Sequence, residues 1–355
     1  MTNNQTELLT LLSKDRNAYP NQVSKIVVKE THISWVILTG RFAYKIKKEI
    51  KFGEILDFST LPLRKKFCQR EVEINSVLCE GMYLDVVKIV KQDKRKYEKE
   101  ESGLKIVELK SKGKALEYAV KMLEIPQKFR MDNLLYEGKV TSDTIETLTS
   151  ILIQFHVSTP TNRRIRNFGR TEFMKRKVEE NFATLSKLAN IDDKFEKLLK
   201  LFIHKNSNLF LQRIRDHKIR DIHGDLYLGN IFIMPNNKYY LYDRIEFNDS
   251  LRYADVAEDV AHLAMDLDFH GRDDLSKHLI SDYILRGKDT SLEDIIYFLM
   301  CYKACVRAKV SLFRAKSFDI EKNNHPSQDR ERMVRAGEEE ARRHLHLAES
   351  YLALM

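Results

Sequence analysis

From about Asp143 onward the chain is patterned as helix, with Thr144 to His156, Phe173 to Ala189 and Leu292 to Ala315 as the clearest stretches. One β-rich island, Arg220 to Phe247, interrupts them, and it constrains the fold more than the helices do. It holds two short apolar runs, Ile231-Phe232-Ile233 and Tyr239 to Tyr242, joined by the turn Pro235-Asn236-Asn237. A polar segment, His223-Gly224-Asp225-Leu226-Tyr227-Leu228-Gly229-Asn230, leads into the first run. Asp243 ends the second, 13 residues after Asn230.

The first third has a different texture. Ser24 to Val28, Trp35 to Thr39 and Phe42 to Lys47 are short, β-branched or aromatic, and separated by polar turns, with Gly40 at a tight hairpin. Leu61 to Leu78 has helical spacing, with Leu63, Phe67, Val72, Ile74 and Leu78 as its apolar positions and Pro62 at its start. Strands are expected again at Val86 to Val90, Leu104 to Leu109 and Tyr118 to Met122, with the charged stretch Lys91 to Ser102 as a solvated hairpin loop. The expected architecture is α+β and bilobal. A small antiparallel sheet with one helix occupies residues 1–122, a hinge 123–126, and a large mainly helical lobe 127–355.

The H-x-D-x-x-x-x-N spacing, followed by a hairpin and a terminal Asp, suits phosphoryl transfer. Asp225 is placed to orient an attacking hydroxyl and accept its proton. Asn230 and Asp243 offer the oxygen ligands that Mg²⁺ takes beside a triphosphate. The alternative is a polar turn in which the same residues cap the backbone. Ala43-Tyr44-Lys45 lies on the third strand, where alternation puts Ala43 and Lys45 on one face; Lys47 shares that face and is a rival. Glu71 of the following helix is the expected partner of the lysine. Glu73 points about 200° away around the helix axis.

These motifs resemble the aminoglycoside phosphotransferase-like family of the protein-kinase-like superfamily, which includes choline and homoserine kinases. HGDLYLGN and the segment Asp255 to Ala261 carry the resemblance. THISWVILTGRFAYKIKK, LDFSTLPLR, YAVKM and YDRIEFNDSLRYADVAEDVAHLAMDLD are similar to a poorly characterised prokaryotic subgroup. Some of its members carry an additional C-terminal P-loop kinase domain. The sequence here ends without one, and no G-x-x-x-x-G-K-[ST] occurs in it. The resemblance implies Asp225 as catalytic base, Asn230 and Asp243 as Mg²⁺ ligands, Lys45 as the ATP phosphate lysine and Glu71 as its partner. It also implies that Lys121 to Glu124, centred on Leu123, faces the adenine. No G-x-G-x-x-G loop is present, so phosphate cover falls to Ser34 and nearby amides. Tyr227 and Arg244 stand where the subgroup usually has His and Cys. His223, Glu246, Asp255 and Asp259 are further candidates for support of the loop or contact with substrate. For the last two the expected division is that Asp255 supports the catalytic loop and Asp259 caps or pairs.

Composition places the chain. It has 355 residues, 43% apolar, and four cysteines, Cys68, Cys79, Cys301 and Cys305, read as buried free thiols. No secretory leader and no apolar run of about 18 residues is seen, so a cytoplasmic protein with no membrane contact is expected. Net charge is +9. The densest basic run, Arg163, Arg164, Arg166, Arg170, Lys175, Arg176 and Lys177, makes RNA a candidate partner, or else forms a solvated face. The expected activity is ATP- and Mg²⁺-dependent phosphorylation of a small molecule's hydroxyl. The positive charge favours neutral or anionic acceptors over polycationic aminoglycosides. A kinase of protein or RNA and a non-catalytic nucleotide-binding module are the alternatives.

Overall fold

The computed structural model describes residues 3–92, 102–320 and 327–355. The loop expected over Lys91 to Ser102 falls, at positions 93–101, outside them. The chain divides into two compact units, Met1–Asn133 with Asn230–Asn248, and Leu134–Gly229 with Asp249–Met355.

The first unit is built on a six-stranded antiparallel sheet. Its strands are β1 (Val27–Glu30), β2 (Ser34–Leu38), β3 (Phe42–Lys47), β6 (Tyr83–Lys91), β7 (Leu104–Glu108) and β8 (Ala115–Leu123), in the order β1-β2-β3-β8-β6-β7. A two-stranded ribbon, β4 (Lys51–Phe52) with β5 (Leu56–Asp57), follows β3. Gly40 makes the β2–β3 turn with φ +94°, and a Cβ there would sit 2.0 Å from Ser24 Oγ, so both conformation and space require glycine. Helix α1 (Asn3–Lys14) precedes the sheet and buries Leu8, Leu9 and Leu12 in a cluster with Trp35, Ile37, Tyr44 and Ile46. Leu11 packs partly against the same cluster, and these four leucines are the helix's only apolar residues, so the helix owes its place to burial rather than to a pattern visible in isolation.

Helix α2 (Leu61–Asn75) starts at the Thr60 cap with Pro62 in its first turn. Of the expected apolar positions Ile74 is buried, while Leu63, Phe67, Val72 and Leu78 are half-buried. The buried positions are Arg64, Cys68, Glu71, Ile74 and Asn75, a mostly polar set. Arg64 pairs with buried Glu117 of β8 at 2.9 Å. The hairpin of β10 (Ile231–Ile233) and β11 (Tyr239–Leu241) belongs to this unit, although the chain reaches it about 100 residues after α3 (Met131–Tyr136) begins. Phe232 and Tyr240 pack into one cluster with Ala43, Cys68, Val120 and Met122. Asn237, in the expected turn, has φ +58°.

The second unit is mainly helical: α4 (Ser142–Ser158), α5 (Arg163–Asn167), α6 (Thr171–Leu188), α7 (Lys194–Lys205), α8 (Ser207–Arg215), α9 (Asp249–Arg252), α10 (Ala257–Phe269), α11 (Asp273–Gly287), α12 (Ile296–Ile320) and α13 (Ser327–Leu352). Its small sheet pairs β9 (Ile219–Asp221) with β12 (Tyr253–Asp255). Helix α10 is buried from Ala257 through Leu267. Cys301 and Cys305 are buried free thiols on α12, as their four-residue spacing suggested. Among the described residues no helix is long and apolar enough to cross a membrane.

Gly169, between α5 and α6, has no room for a side chain. A Cβ there would lie 2.4 Å from Ile219 Cγ1 and 2.9 Å from Ile214 Cγ1. Gly169→Ala is expected to destabilise the second unit by about 1–3 kcal/mol through overpacking. Chemical denaturation followed by circular dichroism measures it; an unchanged midpoint would show that the isoleucines give way freely.

Candidate active site

Lys45, Glu71, Asn230, Asp243 and Glu246, with Ser34 and Leu123, lie in the first unit; His223, Asp225, Asp255 and Asp259 lie in the second. Alternation along β3 sends Lys45 and Lys47 to the same face, and α2 presents Glu71 to both. The rivalry between the two lysines resolves as sharing. Lys45 Nζ is 2.8 Å from Glu71 Oε1, and Lys47 Nζ is 2.6 Å from Glu71 Oε2. Glu73, by contrast, is exposed and pairs with Arg70.

The pairing extends at both ends. Lys45 Nζ donates to Asp243 Oδ1 at 2.5 Å, and Lys47 Nζ donates to Glu246. The result is one chain of alternating charge: Asp243, Lys45, Glu71, Lys47, Glu246. Side-chain exposure is 0% at Glu71, 1% at Lys47 and 3% at Glu246, but 41% at Asp243. Only one end of the chain is open. Burial alone would push the Glu71 carboxyl up; the flanking ammoniums of Lys45 and Lys47 overcome it and bring it down to about 2. Burial likewise works against the charged form of Lys45, and Asp243 and Glu71 raise it well above its ordinary value. Glu246 goes the other way, because burial outweighs the help of Lys47.

Asp243 adopts φ +64°, a conformation that costs a non-glycine residue about 1 kcal/mol or more and persists only where neighbours fix it. They do. The Asp243 N–H donates to Tyr83 Oη at 3.2 Å. Asn75, at the end of α2, clamps the next residue twice: its Oδ1 accepts from Arg244 N at 2.8 Å and its Nδ2 donates to Arg244 O at 3.2 Å. Tyr242 N–H donates to Asn230 O at 3.0 Å, so the hairpin ties the two metal candidates to one ribbon. With two cations against three carboxylates, the chain's unbalanced charge is negative and its exposed member is Asp243. That fits a hard cation. Among the described residues no group of three or more His, Cys, Asp or Glu forms a metal cluster, and Mg²⁺ beside phosphates needs only one or two protein oxygens.

In the second unit α10 organises the His223–Asn230 segment from one face. Asp259 accepts from His223 N at 2.7 Å and Gly224 N at 2.9 Å, and its Oδ2 also meets His156 Nε2 at 3.1 Å. Asp266, seven residues on, accepts from Leu228 N at 2.9 Å. Three donors to Asp259, with His156 the strongest, overcome burial and hold its carboxyl at about 2. Gly224 takes φ +89°. Asp225 keeps a side chain 41% exposed, with His262 Nδ1 at 3.8 Å. The support expected of Asp255 thus comes from Asp259. Asp255 instead forms a bidentate pair with buried Arg213, at 2.6 and 2.7 Å, which also holds Asp289.

The remaining expectations divide. Ser34 is buried and its Oγ lies 2.9 Å from Thr31 Oγ1. The Leu123 and Glu124 amides donate to Met82 O and Arg41 O, so neither is spare for a nucleobase. The basic run breaks up: Arg163, Arg164, Arg166 and Arg170 line an open cavity of about 640 Å³, while Lys177 pairs with Glu258 and Lys175 with Glu179. It is not one continuous face. Asn75, His156, His262 and Asp266 were missed in the sequence. The spacing 259, 262, 266 marks one helix face and was a usable signal for two of them.

Glu71 sets an acid limit. Its folded value of about 2 lies below the ordinary 4.5, so its contribution is complete above about pH 4.5 and is lost as pH falls through 2. Glu246 carries the opposite sign. Trp35, the single tryptophan, is buried in this unit and reports its unfolding. Glu71→Gln is expected to cost about 3–5 kcal/mol at pH 7 by leaving two buried ammoniums underpaired. The gap from wild type should narrow at pH 3; a gap independent of pH would refute the assignment.

No family model matches the chain. It is 32% identical over 295 residues to uncharacterized proteins of Mycobacterium bovis and Mycobacterium tuberculosis, a stretch that is 81% of this chain and 55% of theirs. The chain therefore spans about half the length of the curated relatives it matches. Among solved structures it is similar to a choline kinase from Cryptosporidium parvum, with TM-score 0.51, 11% identity and coverage of 98% of this chain and 97% of that one. It is also similar to wild-type aminoglycoside 2'-phosphotransferase-IIIa in its GDP complex, with TM-score 0.50, 12% identity and coverage of 99% of each. The chain has the protein-kinase-like fold that these two proteins share.

Proposed function

We propose that the chain is a phosphotransferase that uses Mg²⁺ and a nucleoside triphosphate, ATP in the first instance, to phosphorylate a hydroxyl group of a small molecule. The observation that carries this reading is the buried ion-pair chain ending on exposed Asp243. It presents an ammonium and a carboxylate at one open end, the pair of charges that a metal-bound triphosphate requires. The fold, shared with a choline kinase and with a phosphotransferase holding GDP, supports it, and the names of both proteins support a small-molecule acceptor.

In this reading Asp243 and Asn230 hold Mg²⁺, which when bound neutralises phosphate charge. Lys45 leaves Asp243 for the phosphates and keeps Glu71 as its anchor; Lys47 and Glu246 keep Glu71 from following it. Asp225 orients the acceptor hydroxyl and takes its proton as the new P–O bond forms. The P–O bond to the leaving diphosphate breaks in the same displacement. Asp259 and Asp266 hold the backbone of the loop so that Asp225 does not have to be positioned anew in each turnover. His223, its ring buried, accepts from the Asp225 N–H through Nδ1 at 3.4 Å. The proposal concerns these 355 residues, not the longer relatives.

Two substitutions separate the roles. Asp225→Asn should lower kcat by about 10³-fold or more while nucleotide affinity stays within about threefold of wild type. Asp243→Ala should remove the Mg²⁺ dependence of nucleotide binding, read by titration with and without the ion. Transfer surviving in the first, or wild-type Mg²⁺ dependence in the second, would sink the corresponding role.

A further inference from the structure

Several side chains of the second unit carry buried polar atoms without a hydrogen-bond partner among the described residues, and two of them, buried His262 and half-buried Arg307, lie near the His223–Asn230 segment. His262 is 2% exposed, and among the described residues neither its Nδ1 nor its Nε2 has a hydrogen-bond partner. The same holds for Nε of Arg307 on α12. A buried polar group left without a hydrogen bond destabilises the fold, so a ligand that meets it explains its retention. His262 stands beside the proposed base, and Arg307 beside Tyr227, two residues on in the chain. His262 Nδ1 is 3.8 Å from Asp225 Oδ1, too far for a bond but within the span that one hydroxyl oxygen, about 2.8 Å from each, bridges. The His262 ring stacks near Tyr227 at 5.8 Å, and the Arg307 guanidinium lies 4.5 Å from the Tyr227 ring centre.

Beside its contact with Tyr227, Arg307 has one long ion pair. Its Nη2 comes no closer than 3.9 Å to Glu340, whose other oxygen takes Arg314. Lys303 and Lys177 are spent on Glu258. Asp266 is spent on the Leu228 amide. Burial, with Lys303 and Arg307 nearby, pushes His262 well below its ordinary value and keeps it neutral, so it offers one donor and one acceptor.

We infer that His262 and Arg307 form the acceptor's anchoring site, and that the acceptor is a small hydroxylated molecule carrying a carboxylate or a phosphate. Arg307 takes the anionic group; His262 and Asp225 share the hydroxyl. The inference rests on the phosphotransferase reading and adds the acceptor's charge to it.

The test is a series on one three-carbon backbone: glycerate, glycerol 1-phosphate, neutral glycerol and cationic 2-amino-1,3-propanediol. Binding is read calorimetrically with ADP and Mg²⁺ present, and transfer is read with labelled ATP. The two anionic probes should bind at least about 30-fold more tightly than the others. Arg307→Met, which keeps the stem over Tyr227, should erase that preference, and Arg307→Lys should restore part of it. ADP binding in the same samples checks folding. Glycerate against glycerol 1-phosphate tells carboxylate from phosphate. Equal affinity across the series, or a preference that survives in Arg307→Met, overturns the inference. Anion-selective binding without transfer to any probe keeps the anchor and removes the phosphotransferase reading; transfer without charge preference does the reverse.

Discussion

Everything in the first unit that bears on chemistry hangs on one carboxylate, Glu71, held between two lysines with no access to water. Burying three charges is expensive, and the attraction among them repays the cost only if the geometry is close and complete. That requirement shapes the unit. Helix α2 turns Arg64, Glu71 and Asn75 inward at the expense of apolar positions, and each finds a partner: Glu117, the two lysines, and the Arg244 backbone. The helix is thus located by directional polar contacts, which fix its rotation more sharply than an oily face would. The same contacts set the backbone of Asp243 in a left-handed conformation that the residue would not choose alone.

The second unit solves a similar problem by other means. The His223–Asn230 segment buries His223, Leu226 and Leu228, and its amides are tied to two aspartates on one face of α10. Asp259 can remain charged there because its donors, two amides and His156, outweigh desolvation. Asp255, which the sequence reading expected to support the loop, is drawn off by Arg213 and serves the packing of α8 against the loop before α12.

How much of this was legible follows from the range of the interactions. The β2–β3 hairpin, the start of α2 and the β10–β11 hairpin are local, set by Gly40, Thr60 with Pro62, and Asn237, and they stand where the pattern put them. Glu71 over Glu73 was a question of helical phase and was also readable. The division of labour between Asp255 and Asp259 was not, because it depends on Arg213, 42 residues away from Asp255 in the chain. The polar inner face of α2 was misread for the same reason: its partners come from β3, β8 and the β11 end, and periodicity counts only apolar residues. Helix α1 escaped notice because four leucines within five residues are too short a pattern to announce a helix before a sheet exists to cover them.

The two units differ most in what they leave unsatisfied. In the first, every buried charge of the Glu71 chain is paired, and the surplus sits at the exposed end, where a cation can meet it. In the second, the charges Glu258, Asp289 and Arg213 are also paired, yet both ring nitrogens of His262 and the Nε of Arg307 lack hydrogen-bond partners among the described residues. Simple packing does not account for that difference. A histidine and an arginine placed for bulk alone could be replaced by Phe and Met at a gain, since an apolar side chain of similar volume avoids the cost of unmade hydrogen bonds. Polar groups retained at such a cost beside an exposed carboxylate are best explained by a ligand that completes them, and the charge on Arg307 sets the sign of what that ligand must carry.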